Sequence, residues 1–158
     1  MVDERSRNIA LLFIVQIMIS FYSENITLPK IPKRKIAAWI KLVAQKYGKK
    51  TGEIACVFCD DKKILEINRQ YLKHDYFTDI ITFDYSEKDT ISGDIFISLD
   101  TVKTNSEKFN TLFINELYRV IIHGILHLCG QNDKTPEEKK NMREKEEEAI
   151  NLIRVFRD

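Results

Sequence analysis

Two histidines and an aspartate stand at metal-ligand spacing in the second half of the chain. His123 and His127 lie four residues apart in an apolar run, and Asp133 follows six residues later. On a helix, side chains at i and i+4 are neighbours about 6 Å apart, so both imidazoles can bind one ion. Gly130 permits a left-handed turn that brings Asp133 to the same point. The pattern predicts one Zn²⁺ ion with three protein ligands and a fourth position open for water, as in catalytic zinc sites.

A core role is the alternative explanation for these histidines. A single histidine in so apolar a stretch is more often a core side chain that bonds to the backbone. Two on one helix face are different, because burying both without an ion would leave several ring nitrogens to satisfy within one turn. The pair therefore favours a metal site.

Gly124 separates this motif from that of the zinc proteases. Their H-E-x-x-H-x-x-G-x-x-H signature places a glutamate, the general base, where this chain has Gly124. The peptidase mechanism is therefore not expected here. Asp133 replaces the third histidine of that signature, and its negative charge should make the ion a weaker Lewis acid.

The same stretch resembles more closely the hallmark H-G-x-L-H-L-x-G-Y-D-H of the YbeY family of endoribonucleases. The matching residues are His123, Gly124, Leu126, His127, Leu128 and Gly130. Upstream, INRQYLKHDYFTDIITF is similar to the family's L-N-x-x-Y-R-x-x-D-x-x-T-D-V-L-S-F segment, and GDIFIS is similar to its G-D-I-x-I-S strand. The likeness extends in consistent order from about Ile19 to the end of the chain.

The resemblance implies a zinc-dependent endoribonuclease that cleaves single-stranded RNA. It implies rRNA maturation, especially at the 3′ end of small-subunit rRNA, and ribosome quality control, with the ribosome or ribosomal proteins as partners. The family has a histidine where this chain has Asp133 and an arginine where it has Leu72. Because leucine cannot hold a phosphate, the adjacent Lys73 is the expected RNA-binding substitute, although it lacks the planar fork of arginine.

Metal-assisted phosphodiester cleavage is the expected chemistry. Zinc brings the pKa of bound water from about 15.7 toward about 7 and polarises a phosphoryl oxygen. The nucleophile stays open between a metal-bound hydroxide and the 2′-hydroxyl of the substrate. Further candidates for proton transfer or phosphate contact are Asp79, Asp84, Asp94, Glu116 and Arg119. Carboxylates at strand ends more often cap turns or orient ligands, and Arg119 could pair with a carboxylate instead.

Two other function classes remain open. One is a non-catalytic ribosome-assembly factor with a structural metal, which Leu72 favours slightly. The other is a hydrolase of peptides or small molecules, and the absent glutamate counts against its peptide version.

Composition agrees with one domain. A chain of 158 residues with 44% hydrophobic and 31% charged content can bury one core. The net charge of +1 gives no general attraction to nucleic acid, so RNA affinity must come from local patches, and no DNA partner is expected. One basic run extends from Lys30 to Lys50 without an acidic residue and supplies Lys33, Arg34 and Lys35 as RNA-binding candidates. An ordinary solvated helix face is the alternative.

The N-terminus and the cysteines bear on location. Residues 9–22 are apolar and superficially resemble a short signal peptide, but the run is short for a bilayer and no small-x-small cleavage site follows. We expect residues 1–17 to be an extension, with Met18 a possible alternative start, followed by one domain over residues 18–158 and no membrane partner.

Three cysteines form no disulfide framework, which favours the cytoplasm, and Cys56 and Cys59 are expected to be packed in a buried strand.

Hydrophobic periodicity predicts an α+β fold. Strands are expected at residues 19–22, 53–59, 79–85 and 93–99, the last two forming a hairpin. Helices are expected at 33–47, 60–72, 101–108, 111–129 and 135–156. The order predicts a small mixed four-stranded sheet packed with about five helices. The metal site should lie at the C-terminal end of a central apolar helix, opposite a wall formed by residues 73–84.

Overall fold

The structure, a computed structural model, describes residues 18–72 and 78–155. Within these ranges, four strands form one sheet in the order β1-β2-β4-β3. They are β1 (Ile19–Ser23), β2 (Lys50–Cys59), β3 (Ile80–Asp84) and β4 (Thr90–Ser98). β1 and β4 flank β2 in parallel, whereas β3 pairs antiparallel with β4 as the other strand of the predicted hairpin. The mixed four-stranded sheet is therefore confirmed.

The described residues also form five α-helices. They are α1 (Lys33–Lys46), α2 (Asp61–Ile67), α3 (Leu99–Lys108), α4 (Phe113–Leu128) and α5 (Pro136–Val155). A π-helix, Asn68–Leu72, directly continues α2. The α+β class is confirmed, and the predicted helix over residues 60–72 is in fact α2 followed by this π-helix.

Side-chain caps fix the starts of two helices. The Asp60 carboxylate accepts a 2.9 Å hydrogen bond from the backbone N–H of Lys63 at the start of α2. Before α5, Thr135 and Glu138 form a reciprocal capping box, with bonds of 3.2 and 3.1 Å. The second cap ends the loop that carries Asp133, so it helps to fix that loop relative to α5.

The main core lies between one face of the sheet and helices α1, α4 and α5. Side chains alternate between the faces of a strand, and Ile54, Cys56 and Phe58 of β2 point to this core. Trp39 of α1 is fully buried and donates a 2.7 Å hydrogen bond to the Ala149 carbonyl of α5. α4 buries nine of its sixteen residues, so it is the central helix that the sequence predicts.

A smaller cluster covers the opposite face beneath α2. It contains Cys59, Ile64, Ile67 and Ile81. Cys56 and Cys59 therefore lie on opposite faces of β2, and burial raises the pKa of each thiol to about 12. They are packed side chains, as predicted, and not a shared metal or redox site.

The N-terminal extension predicted for residues 1–17 lies outside the described residues, as does Lys73. Among the helices that the structure describes, none combines the length and hydropathy needed to cross a membrane.

Candidate metal centre

His123, His127 and Asp133 come together at one point. His123 Nε2 lies 3.0 Å from His127 Nε2, and Asp133 Oδ2 lies 3.2 and 3.3 Å from these two nitrogens. Two ligands bound about 2.05 Å from a tetrahedral ion are themselves about 3.3 Å apart. The three atoms thus form a triangle of the size that one face of a zinc tetrahedron requires, and the residues fit the ion that the sequence predicts.

Local structure explains how the three side chains meet. The histidines lie one helical turn apart in α4, which ends at Leu128. Gly130 has a φ of +93°, a left-handed value at which a side chain would be strained, and its N–H bonds to the His127 carbonyl at 2.9 Å. The chain turns there and returns Asp133 to the helix end.

A backbone contact orients His127. Its Nδ1 lies 2.9 Å from the carbonyl oxygen of Gln131. A carbonyl can only accept, so Nδ1 carries a proton, and Nε2 is the nitrogen that faces His123 and Asp133. This is the tautomer that a metal ligand at Nε2 needs.

A carboxylate lies behind His123. Its Nδ1 is 3.5 Å from Oε1 of Glu146, a buried residue of α5. Burial alone would lower the pKa of His123, but the nearby carboxylate of Glu146, reinforced by Asp133, outweighs burial and raises the pKa above its ordinary value. The metal-free site therefore favours a protonated His123 ring, and a metal ion would have to displace that proton in order to bind.

Arg119 joins three carboxylates from different parts of the fold. Its guanidinium contacts Glu116 at 2.5 Å, Glu146 at 3.2 Å and Asp79 at 3.4 Å. These carboxylates raise the pKa of Arg119 against the effect of burial, so the group stays charged. The guanidinium is thus engaged with carboxylates, the second of the two roles that the sequence left open.

The triangle lies in a cleft of about 560 Å³ between α4 and edge strand β3. The described lining residues are Asn68, Leu72, Thr78, Asp79, Ile80, Ile81, Thr82, Asp84, His123, His127 and Asp133. This set includes three carboxylates and neither lysine nor arginine. The predicted opposite wall is present over residues 78–84, and Leu72, which stands where the resemblance implies an arginine, also lines the cleft.

The remaining candidates lie apart from the triangle. Asp79 and Asp84 line the cleft, and Asp84 also accepts a 2.8 Å hydrogen bond from the backbone N–H of Ser86. Asp94 lines a different cavity of about 230 Å³ on the other face of the sheet. Glu116 is buried against Arg119 and is not among the cleft-lining residues.

The basic residues Lys33, Arg34 and Lys35 begin α1 and do not contribute to the described lining of the cleft. Lys33 and Arg34 are exposed and Lys35 is half-buried, as on a solvated helix face. Their expected role in RNA binding therefore stays a prediction, separate from the cleft.

Glu146 is the site residue that sequence reasoning missed. The acidic and basic residues of α5 read as a solvated face, yet Glu146 is 4% exposed. The pattern does contain a signal: Glu146 falls four residues after buried Met142 and three before buried Ala149. A carboxylate on an apolar stripe must find a partner.

Comparisons with known proteins agree on one family. The family model described as Endoribonuclease YbeY matches residues 19–154. A protein named Endoribonuclease YbeY from Parabacteroides distasonis is 61% identical over 135 residues, which cover 85% of this chain and 95% of that protein. A protein of the same name from Porphyromonas gingivalis is 51% identical and covers 85% of this chain and 89% of its own length.

A solved structure supports the fold. The solution structure of TM1509 from Thermotoga maritima is similar with a TM-score of 0.63 and 28% sequence identity. The match covers 86% of this chain and 89% of that one. The predicted fold and family are therefore both confirmed.

Proposed function

The chain belongs to the endoribonuclease YbeY family, and on this basis we propose that it is a zinc-dependent endoribonuclease that cleaves single-stranded RNA. The observation that carries the proposal is the triangle of His123, His127 and Asp133 at the wall of an open cleft. The proposed substrate is ribosomal RNA, with cleavage at the 3′ end of small-subunit RNA and a role in ribosome quality control. Partners would then be the ribosome or ribosomal proteins.

The donor set suits zinc. Two imidazole nitrogens and one carboxylate oxygen leave one tetrahedral position for water or substrate. When bound, zinc supplies Lewis acidity: it lowers the pKa of water toward neutrality and polarises a phosphoryl oxygen. The described cleft lining contains neither lysine nor arginine, so no such side chain among these residues is available to pair with an entering phosphate.

Proton transfer is assigned to a cleft carboxylate. Asp79 directly precedes β3 and its side chain is 23% exposed, so it can meet both solvent and substrate. The contact with Arg119 limits the movement of the Asp79 side chain and keeps it beside α4. We therefore assign Asp79 the role of accepting the proton of the attacking group, with Asp84 as the second choice in the same cleft.

The cytoplasm is the proposed location. All three cysteines are buried and free of disulfides. Unpaired thiols are typical of proteins in a reducing compartment.

The test is cleavage of a single-stranded RNA oligonucleotide by zinc-loaded protein, compared with His127→Ala at equal folding by circular dichroism. We expect cleavage by the wild-type protein, little cleavage of the matching duplex, and loss of activity in the variant. Equal cleavage by both proteins would assign the activity to a contaminant or a metal-independent route. Precursor small-subunit rRNA, compared with an unrelated RNA of equal length, tests the proposed substrate.

A non-catalytic assembly factor is the second candidate. The acidic lining of the cleft and Leu72 favour it, because both weaken the hold on a phosphate. Zinc-loaded protein that binds ribosomal RNA or ribosomes without cutting RNA would establish it in place of the nuclease. The peptidase alternative is disfavoured, since Gly124 stands where the zinc proteases have the glutamate that acts as general base.

A further inference from the structure

Two buried polar atoms beside the triangle lack partners. Among the described residues, neither Nδ1 of His123 nor Oε2 of Glu146 has a hydrogen-bond partner. The same two side chains approach each other, with Glu146 Oε1 lying 3.5 Å from Nδ1. An N–H···O hydrogen bond normally measures about 2.7–3.2 Å, so a shift of a few tenths of an ångström would form one.

The chemistry of the ring assigns the direction of this bond. Nε2 of His123 belongs to the triangle, so a ring that binds an ion carries its proton on Nδ1. That proton needs an acceptor, and His127 has one in the Gln131 carbonyl. For His123 the Glu146 carboxylate stands in the corresponding position.

Pairing with Arg119 does not by itself account for Glu146. Glu116 already accepts from two nitrogens of Arg119, at 2.5 and 3.0 Å, whereas Glu146 has one contact with Arg119 at 3.2 Å. A buried carboxylate is costly unless several hydrogen bonds satisfy it. The ring N–H of His123 is the partner that would complete the set.

We propose that Glu146 is a positioning residue of the metal centre, which accepts the Nδ1 proton of His123 and holds Nε2 toward the ion. Arg119 in turn holds Glu146, so that α5 contributes to the site although it provides no ligand. The inference rests on the proposed metal site and assigns that site a residue on another helix. Partners of this kind typically change metal affinity by about 10- to 100-fold.

Zinc affinity measured by competition with a chromophoric chelator tests the proposal on the full chain. Glu146→Ala should weaken zinc binding by about 10- to 100-fold, and Glu146→Gln by less, because its amide oxygen can still accept. Glu116→Gln is the matched control: it removes an equally buried carboxylate from the same Arg119, but one for which no His123 contact is found. We expect this control to stay within about threefold of the wild type.

Two readouts separate positioning from simple support of the fold. Circular dichroism and melting of the metal-free proteins measure folding, and NMR of the zinc-bound proteins follows the His123 Nδ1 proton. We expect that proton to be protected from exchange in the wild type and in Glu116→Gln, and to exchange rapidly in Glu146→Ala. Equal zinc affinity in wild type and Glu146→Ala, or equal weakening by Glu116→Gln, would overturn the assignment. Wild-type protein that bound no zinc would instead remove the proposed function.

Discussion

Gly124 and Ile80 approach each other so closely that a Cβ on Gly124 would lie 2.8 Å from Ile80 Cδ1. The Cβ on Gly124 would also lie 3.2 Å from two carbons of Ile95. α4 therefore packs directly on β3 and β4 at the level of His123 and His127. In the sequence, Gly124 stands where a protease has its glutamate and matches the glycine of the family hallmark; in the fold it permits the close approach of α4 to β3 and β4 beside His123 and His127.

Gly124→Ala should lower the free energy of unfolding by about 1 kcal/mol, since overpacking of about 2 kcal/mol outweighs a helix-propensity gain of about 1 kcal/mol. Urea denaturation of metal-free protein measures this loss. In an Ile80→Val background, which removes Cδ1, the same substitution should cost less. An equal loss of unfolding free energy in both backgrounds would show that the contact with Ile80 does not determine the cost of Gly124→Ala.

Asp133→Ala should weaken zinc binding by more than about 100-fold, because it removes a direct ligand, whereas an orienting partner changes affinity by about 10- to 100-fold. Asp133→His should retain or tighten binding, since imidazole is also a zinc ligand. Asp84→Asn is the control, because Asp84 lines the same cleft outside the triangle. Unchanged zinc content in Asp133→Ala would remove Asp133 from the ligand set.

Asp79→Asn should reduce kcat for RNA cleavage by about 100-fold or more if Asp79 accepts the proton. Zinc content should stay stoichiometric, since Asp79 is not part of the triangle. Single-turnover cleavage at saturating enzyme measures the chemical step. A normal rate in this variant together with a slow Asp84→Asn would transfer the role to Asp84.

Zinc affinity should fall as the pH is lowered. The pKa of His123 is raised above its ordinary value near 6.5, so a proton competes with the ion at neutral and acidic pH. In the metal-free protein, folding stability changes with pH in the opposite direction. Stability from the protonated ring is complete below about pH 6.5 and is lost as the pH rises through the folded pKa. Melting temperatures with and without zinc, measured from about pH 5.5 to 8.5, should show opposite slopes; a parallel response would contradict the raised pKa.

Arg119→Met should destabilise the protein by about 3 kcal/mol, because it leaves buried carboxylates without a counter-charge. Arg119→Lys should cost less but still lose the forked contacts to Glu116. Chemical denaturation of the metal-free proteins provides the comparison. A variant with normal stability and only a raised KM for RNA would instead assign Arg119 to phosphate.

Much of the fold follows from local pattern. The stripe of Ile36, Trp39, Ile40 and Val43 predicts α1, and all four are buried. Strand β2 begins three residues earlier than predicted because Lys50 and Thr51 pair with Thr90 and Ile91 of β4, before a register shift between Thr51 and Ile54. Such pairing depends on a distant strand, so local periodicity does not contain it.

The meeting of His123, His127 and Asp133 at one point was predictable because their spacing is a property of one helix and one turn. Glu146 was not, because its role depends on how α5 packs on α4 across more than twenty residues of sequence. The π-helix at Asn68–Leu72 was also missed. In this segment the backbone follows the π-helical rather than the α-helical pattern, and its buried residue Asn68 lines the cleft.

The triangle has a mechanical consequence because its atoms come from two separate parts of the chain. Two belong to the central helix and one to the loop that enters α5, so a bound ion cross-links the last two helices of the fold. By mass action, free zinc at about 100 times its Kd would add about 2.7 kcal/mol to the stability of the folded state. With zinc as the proposed ion, the heat tolerance of this protein should thus follow zinc supply, and a cell short of zinc would hold a more easily unfolded enzyme.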